Sequence, residues 1–225
     1  SFVKPVIATI PHGVDCSKFH PMPLDDRFLS NHGMSGDKHI GIFGRVRPEK
    51  GTDLFIAAMI KVLPKHPEYR AVIVGKTTRK FLSFKRKLMG DIDAAGLSDR
   101  FEWLDEVPFN DMPKIYNAMS LVTAPARYEG FGMVPLEAMA CGKPVIASRT
   151  GAYEEMIVNG ENGWLVETDD QTGFTLAVEN AIENSNALKS MGLSGRSKVL
   201  NEFSAEVEAA SILGVYEKMW LRNYT

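Results

Sequence analysis

Short runs of aliphatic and β-branched residues alternate with longer stretches of helical period along most of this chain. Six such runs predict buried strands at 39–43, 71–74, 100–104, 121–124, 144–147 and 164–166. The stretches between them predict helices near 52–63, 80–95, 110–119, 134–140 and 151–158. Strands joined by helical crossovers pair in parallel, so the pattern predicts an α/β fold with a doubly wound, mainly parallel six-stranded sheet.

The two ends of the chain lack this alternation. Three further helices are predicted near 171–184, 187–201 and 205–223. The segment 11–36, rich in Gly, Pro and Asp, is typical of a linker, and 6–10 is one candidate strand. We therefore divide the chain into a linker and domain start (1–20), a ligand-binding domain (21–203) and a C-terminal helix (204–225). The chain opens without a recognisable leader, and we expect the natural protein to begin upstream.

Composition excludes several classes of protein. The 225 residues carry 26 basic and 28 acidic side chains, a formal charge of −2, which gives no basic footprint for a nucleic acid. The longest apolar run, 54–60, is far shorter than the roughly 20 residues that cross a bilayer. Cys16 and Cys141 lack the spacing of a zinc site and indicate a reducing compartment.

The loop after the first strand carries the first candidate ligand groups, because doubly wound sheets bind ligands beyond the carboxyl ends of their strands. It contains Arg45 and Lys50 between Gly44 and Gly51. An arginine fork together with a lysine point charge suits a diphosphate. For this segment alone, an ordinary solvated basic turn is the alternative.

The segment 125–142, between the fourth and fifth strands, is the densest in candidate groups. Glu129 and Glu137 stand eight positions apart around a glycine-containing turn, and Glu137 falls about one turn inside the predicted helix. The N–H groups of Met133 and Val134 would then lie at a helix start, which favours a phosphate. The carboxylates can accept hydrogen bonds from sugar hydroxyls. The alternative is a plain glycine turn followed by an acid that the helix dipole favours.

Taken together, these motifs resemble the C-terminal domain of glycosyltransferase family four. The resemblance rests on Ile42-Phe43-Gly44-Arg45, Lys50-Gly51, Glu129-Gly130-Phe131-Gly132 and 136–147, begins upstream at 10–15 and continues to Asp170. Details at 44–48 and 51–55 are closest to mannosyltransferases of bacterial lipopolysaccharide core assembly. The family has two Rossmann-like domains, the GT-B arrangement. This chain resembles the half that binds the nucleotide-sugar donor, and the other half, the N-terminal domain, mostly holds the acceptor.

The resemblance also implies roles for individual residues. Arg45 and Lys50 would bind the donor diphosphate and stabilise charge on the leaving nucleotide, and Glu129 would contact the transferred sugar, which makes these three the candidate catalytic residues. Glu137 would bind the ribose hydroxyls, and backbone groups at Val107 would bind the base. The complete implied donor site is Gly44, Arg45, Lys50, Val107, Glu129, Gly130, Phe131, Gly132, Met133, Val134 and Glu137.

The implied enzyme is a retaining hexosyltransferase that needs no metal or other cofactor. GDP-mannose is the favoured donor, with a UDP- or ADP-sugar as alternatives, and the acceptor is a glycan or lipopolysaccharide core. We expect a cytoplasmic protein that associates peripherally with the inner face of the membrane through the N-terminal domain. The fragment alone is expected to bind donor without turning it over, and its last helix to pack toward that N-terminal domain.

Two departures from the family pattern affect the site. His12 stands where the family often has Asn, and Asp105-Glu106 replaces a frequent glycine-containing turn before the base loop. A histidine that the family supplies from its N-terminal domain has no counterpart here. The alternative functions are a nucleotide-sugar epimerase of related fold and a non-catalytic nucleotide-sugar binding module. The combination of Arg45, Lys50 and the two glutamates favours the transferase over both.

Overall fold

The computed structural model describes residues 8–36 and 38–224, with side chains described as far as Leu221. In chain order the elements are α1 (Asp26–Asn31), β1 (Lys38–Phe43), α2 (Thr52–Val62), β2 (Tyr69–Val74), α3 (Leu82–Ala94), β3 (Phe101–Leu104), α4 (Met112–Ala118), β4 (Met119–Ala124), α5 (Met133–Ala140), β5 (Val145–Ser148), α6 (Tyr153–Met156), β6 (Trp164–Val166), α7 (Gln171–Glu183), α8 (Ser185–Glu202) and α9 (Ala205–Tyr224). Among these helices, none is both long enough and apolar enough to span a membrane.

All six strands are parallel and lie in the order β3-β2-β1-β4-β5-β6. The predicted doubly wound sheet is therefore confirmed. Ile42 of β1 lies opposite Ile73 of β2 on one side and Thr123 of β4 on the other. Separate apolar clusters cover the two faces of the sheet, one containing Ile42 and the other Phe43. Strands β2 and β3 are added on one side of β1 and strands β4 to β6 on the other, so the strand order reverses between β1 and β4. The carboxyl ends of these two strands form the switch point where such sheets bind ligands.

The predicted boundaries were close but not identical. Strands β1, β2 and β4 begin one or two residues earlier than predicted, because their first residues are polar or bulky and lack the composition of a buried strand. Arg100 belongs to a 3-10 turn and Pro144 precedes β5. The predicted helix at 151–158 shortens to the four residues of α6. Of the candidate strand at 6–10, residues 8–10 form no strand, and Val6 and Ile7 lie outside the described residues.

The interpretation of 11–36 as a linker missed helix α1. The carboxylate of Asp25 caps this helix by accepting the N–H of Phe28 at 2.9 Å. Only Leu29 of its six residues is buried, so the sequence shows no apolar period there. The rest of the segment is held in place, since the N–H of Val14 donates to the carbonyl of Phe203 at 2.8 Å.

The segment that precedes the domain also meets the start of α9. The N–H of Ala205 donates to the carbonyl of Val14 at 3.0 Å. The carboxylate of Glu208, in the first turn of α9, accepts the N–H of Gly13 at 2.8 Å and contacts the Nδ1 atom of His12 at 3.1 Å. The predicted linker and the predicted C-terminal helix are therefore joined at one place.

Gly51 gives a test of how the switch point is built. Its φ of 70° is left-handed, and a Cβ atom there would collide with the carbonyl oxygen of Pro125 just beyond β4. We expect Gly51→Ala to lower the free energy of unfolding by about 2 kcal/mol or more, from backbone strain and the collision. Urea denaturation checks this value.

Gly90→Ala is the matched control, because Gly90 lies within α3 and a Cβ atom there would have nothing within 4 Å. Here the better helix propensity of Ala should raise stability by up to about 1 kcal/mol. Equal shifts of the two midpoints would show that the approach of Gly51 to Pro125 does not constrain the fold.

Candidate functional site

Two predicted residues from different loops form an ion pair at the switch point. The ammonium of Lys50, which follows β1, contacts Oε2 of Glu129, which follows β4, and their side chains are only 20% and 15% exposed. The other oxygen of Glu129 accepts the N–H of Gly130 at 3.2 Å. The pair brings together the residue expected to bind the diphosphate and the residue expected to bind the sugar.

Arg45 lies in the same loop but is exposed. It makes no ion pair with any side chain that the structure describes. Its neighbour Val46 is buried, and the Val46 N–H donates to the carbonyl of Lys76 at 3.2 Å, which fixes the backbone on one side. Gly44 on the other side has a φ of 117°. A fixed backbone with an uncommitted guanidinium suits the capture of an anion.

Glu137 is half-buried on α5, and a buried tyrosine orients it. The hydroxyl of Tyr116 donates to Oε2 of Glu137 at 2.7 Å, and the Tyr116 ring stacks on Phe43 with centroids 4.1 Å apart. Burial raises the pKa of the Glu137 carboxyl, and the Tyr116 hydrogen bond opposes this rise. Burial also raises the pKa of Tyr116, so it remains a donor. Within the described residues Oε1 of Glu137 has no donor, which leaves it for a ligand hydroxyl.

The glycine loop between these glutamates is packed against α6. Gly132 precedes α5 with a φ of 81°, and a Cβ atom there would collide with the ring of Tyr153 and the side chain of Glu129. The hydroxyl of Tyr153 reaches Oε2 of Glu129 at 3.4 Å. Sequence reasoning missed both tyrosines, because a lone buried tyrosine has the pattern of an ordinary core residue.

Helix α5 begins at Met133, one residue before the predicted start. Its first N–H groups, including that of Val134, have no intrahelical acceptor and lie directly beyond the glycine loop. The ring of Phe131 meets His12 edge-on, with centroids 5.1 Å apart. The loop that holds the predicted sugar and phosphate contacts is thereby connected to the segment before the domain.

Val107 lies in the loop between β3 and α4, half-buried against the cluster that includes Tyr116. The two acids that precede it are each paired with a lysine at 2.8 Å, Asp105 with Lys85 and Glu106 with Lys76. The expected glycine turn is thus replaced by a segment whose acids bind α3 and the loop after β2. All the predicted site residues lie in loops at the carboxyl edge of the sheet or on α5 beside it.

Arg127 was not predicted, although it connects the two functional loops. Its guanidinium donates to both oxygens of Asp53, at 2.8 and 2.9 Å, and to Asp169 at 2.6 Å. The Arg127 N–H donates to the carbonyl of Glu49 at 2.9 Å. The bonds to Asp53 and Asp169 raise the pKa of Arg127, and together with the backbone bond they fix the loop after β4 onto the loop after β1. No sequence spacing links Arg127 to partners so distant along the chain.

The model of the family described as "Glycosyl transferases group 1" matches residues 28–198. The chain belongs to this family. It is 42% identical over 219 residues to the lipopolysaccharide core biosynthesis mannosyltransferase LpcC of Rhizobium leguminosarum bv. viciae. The matched region covers 97% of this chain and 62% of the relative. LpsB of Rhizobium meliloti, with the same description, is 37% identical over 93% of this chain and 60% of its own length. The chain therefore spans about three fifths of these curated relatives.

Solved structures agree with this assignment. The crystal structure of the C-terminal domain of LpcC from Francisella tularensis has a TM-score of 0.78 and 34% identity, covering 85% of this chain and 99% of that one. HepE of Anabaena, in complex with UDP and glucose, has a TM-score of 0.83 and 25% identity, over 92% of this chain and 56% of that one. The resemblance drawn from the motifs is confirmed, as is the Rossmann-like sheet of one half of a GT-B fold.

The raised pKa of Glu137 predicts a pH dependence of stability. A carboxyl whose folded pKa lies above its ordinary value of 4.5 favours folding when protonated, so its contribution is lost as the pH rises through the folded pKa. Glu137→Gln removes the buried charge and keeps an oxygen for the Tyr116 hydroxyl. We expect this variant to be at least as stable as the parent at pH 7.

Urea denaturation between pH 4.5 and 7 measures the effect, and the stability advantage of Glu137→Gln should grow as the pH rises. Glu161→Gln, at an exposed position, should show no such trend. A variant that is less stable at every pH would show that the charged carboxylate stabilises the fold.

Proposed function

We propose that this chain is the donor-binding domain of a retaining glycosyltransferase that transfers mannose from GDP-mannose to a glycan or lipopolysaccharide-core acceptor. The observation that carries the proposal is the ion pair of Lys50 and Glu129 at the switch point, in a loop that also carries the exposed Arg45. A diphosphate there has two cations from one loop and the N-terminus of α5 within a single site. A sugar attached to it would lie beside the carboxylate of Glu129.

Donor binding then requires an exchange of partners. In the described structure Lys50 binds Glu129, and an arriving diphosphate would compete for the same ammonium. Once Lys50 binds phosphate, the Glu129 carboxylate is available to accept hydrogen bonds from sugar hydroxyls. As the glycosidic bond to the nucleotide breaks, Arg45 and Lys50 stabilise the negative charge that develops on the leaving diphosphate.

The nucleoside would be held at a second position in the same site. Oε1 of Glu137 would accept from the ribose hydroxyls while Tyr116 holds Oε2. The backbone at Val107 would bind the base. Backbone groups can serve several bases. Guanine is favoured by a relative of Mycolicibacterium smegmatis, 26% identical, that is described as a GDP-mannose-dependent mannosyltransferase, whereas the structure of HepE is a complex with UDP.

The transfer itself would need no protein nucleophile and no metal. We propose attack on the face of the sugar that the nucleotide leaves, with the donor phosphate accepting the acceptor proton. The cations of the loop after β1 would supply the charge that a metal supplies in other transferases. The acceptor would bind the N-terminal domain, and we propose that this domain also provides peripheral contact with the inner face of the membrane in the cytoplasm.

Helix α9 supports the idea that an N-terminal domain packs nearby. Leu213 and Tyr216 are 62% and 64% exposed, on a helix that starts beside the segment preceding the domain. A covering domain would bury this apolar surface. The proposed role of α9 explains why so much apolar area lies outside the core of this chain.

Calorimetric titration of the chain with GDP, UDP and ADP, with and without magnesium, tests the donor site. We expect GDP to bind most tightly and independently of magnesium. Lys50→Ala and Glu137→Ala should each weaken binding by roughly tenfold to a hundredfold, since each removes a hydrogen bond to a charged group worth about 1.5–3 kcal/mol. Lys61→Ala, an exposed α2 residue without an ion pair in the described structure, is the control and should bind as the parent does.

Failure of all three nucleotides to bind would overturn donor binding by this chain. Binding that needs magnesium would overturn the metal-independent site. Tighter binding of UDP or ADP would replace guanine as the proposed base and leave the site itself supported.

Glu129→Ala separates catalysis from binding in the longer enzyme that carries the acceptor domain. We expect kcat to fall at least about a hundredfold, because the transferred sugar loses its carboxylate contact. GDP affinity should hold or rise, since Lys50 loses its competing partner. Glu161→Ala is the exposed control, and near-parental turnover by Glu129→Ala would show that Glu129 has no catalytic role.

A further inference from the structure

The segment 76–87 concentrates positive charge that the proposed site does not use. It contains six basic residues and no acidic residue, in a chain whose formal charge is −2, and these are Lys76, Arg79, Lys80, Lys85, Arg86 and Lys87. Two of them, Lys76 and Lys85, are paired with the acids before Val107. The other four therefore need a separate explanation.

Arg79, Lys80, Arg86 and Lys87 are exposed. None of them makes an ion pair with a described side chain, and Lys80 lies over the ring of Phe81 at 5.2 Å. Four uncommitted cations therefore lie within nine positions around the start of α3. Such a concentration of charge attracts a polyanion or an anionic interface.

The placement of charge along α3 opposes the helix dipole. Arg79 and Lys80 lie in the 3-10 turn that runs directly into the positive N-terminal end, whereas Asp91 and Asp93 lie in the last turn, at the negative end. Both arrangements are unfavourable for the helix by itself. Charge placed against the helix dipole does not stabilise α3, and departures from such local folding rules are expected at functional surfaces.

Exposed apolar side chains accompany these cations. Leu82 and Met89 are 47% and 42% exposed, and helical spacing places them on the same face as Arg86. Leu88 and Ile92 point the other way and are buried in the core. Cations around a few exposed apolar residues are the pattern of a helix that lies on a membrane surface.

We propose that this basic α3 surface, made of Arg79, Lys80, Leu82, Arg86, Lys87 and Met89, docks on an anionic lipid bilayer. The cations would bind lipid headgroups and the two apolar side chains would enter the interface. The 3-10 turn at Arg79–Phe81 and the start of α3 follow β2, so the surface lies at the same edge of the sheet as the donor site. Docking there would keep the donor site close to an acceptor carried by lipid. The surface shares no residue with the donor site, so membrane docking and donor binding can be tested independently.

Co-sedimentation with vesicles tests the surface in the 225-residue chain. We expect binding to vesicles of phosphatidylglycerol and phosphatidylethanolamine but not to vesicles of phosphatidylcholine alone, with loss of binding as salt rises. Substituting Arg79, Arg86 and Lys87 together by Gln should weaken binding at least about tenfold, given that each cation near an anionic surface contributes about fivefold. The GDP affinity of this variant should not change.

A second triple variant removes the same charge elsewhere and serves as the control. Arg27, Lys189 and Lys218 are exposed and make no ion pair in the described structure, so their substitution by Gln should leave vesicle binding unchanged. Equal weakening by both triple variants, or equal binding to neutral vesicles, would overturn a specific docking surface. Binding of an oligonucleotide in place of the vesicles would also overturn the lipid proposal.

Discussion

The functional site depends on how closely the loop after β1 approaches the loop after β4. These strands are neighbours at the centre of the sheet, but adjacency alone does not fix their loops. The guanidinium of Arg127 fixes them through a bidentate bond to Asp53 at the start of α2. Gly51, which has no Cβ atom, lets the backbone of the first loop pass directly against Pro125. The pairing of Lys50 with Glu129 follows from this connection.

Each of the two glutamates has a buried tyrosine as a neighbour. Tyr116 binds Glu137, and Tyr153 reaches Glu129 from α6. Burying carboxylates disfavours their charged form, which the raised pKa of Glu137 expresses. The Tyr116 hydrogen bond limits this penalty at Glu137, and it fixes that carboxylate so that Oε1 stays without a donor among the described residues. The site therefore combines local destabilisation with a fixed geometry, a combination common where binding is selected over stability.

Much of the fold and part of the site could be predicted from the sequence. Buried parallel strands are read from composition alone, and β6 was predicted to the residue, because its aromatic and aliphatic run is bounded by polar turns. Arg45, Lys50, Glu129 and the glycine loop belong to local motifs, which a single sequence displays. Helix α1 was missed because its single buried residue, Leu29, gives no helical periodicity of apolar residues. Arg127 and the two tyrosines were missed because their partners lie far away in the chain, and only the folded sheet brings those partners together.

The cations at the switch point and those on the basic α3 surface have different physical consequences. At the switch point Lys50 is paired and largely shielded, so a ligand must replace an existing partner and the site selects for groups that bind Lys50 and Glu129 at once. On the basic α3 surface the cations are exposed and unpaired in the described structure. They attract anions over a distance of about the Debye length, about 10 Å at 0.1 M salt. This surface therefore selects a partner by its charge density rather than by its shape. Raising the salt concentration should therefore weaken membrane contact well before it weakens nucleotide binding, since a shielded charge pair is screened much less than an exposed one.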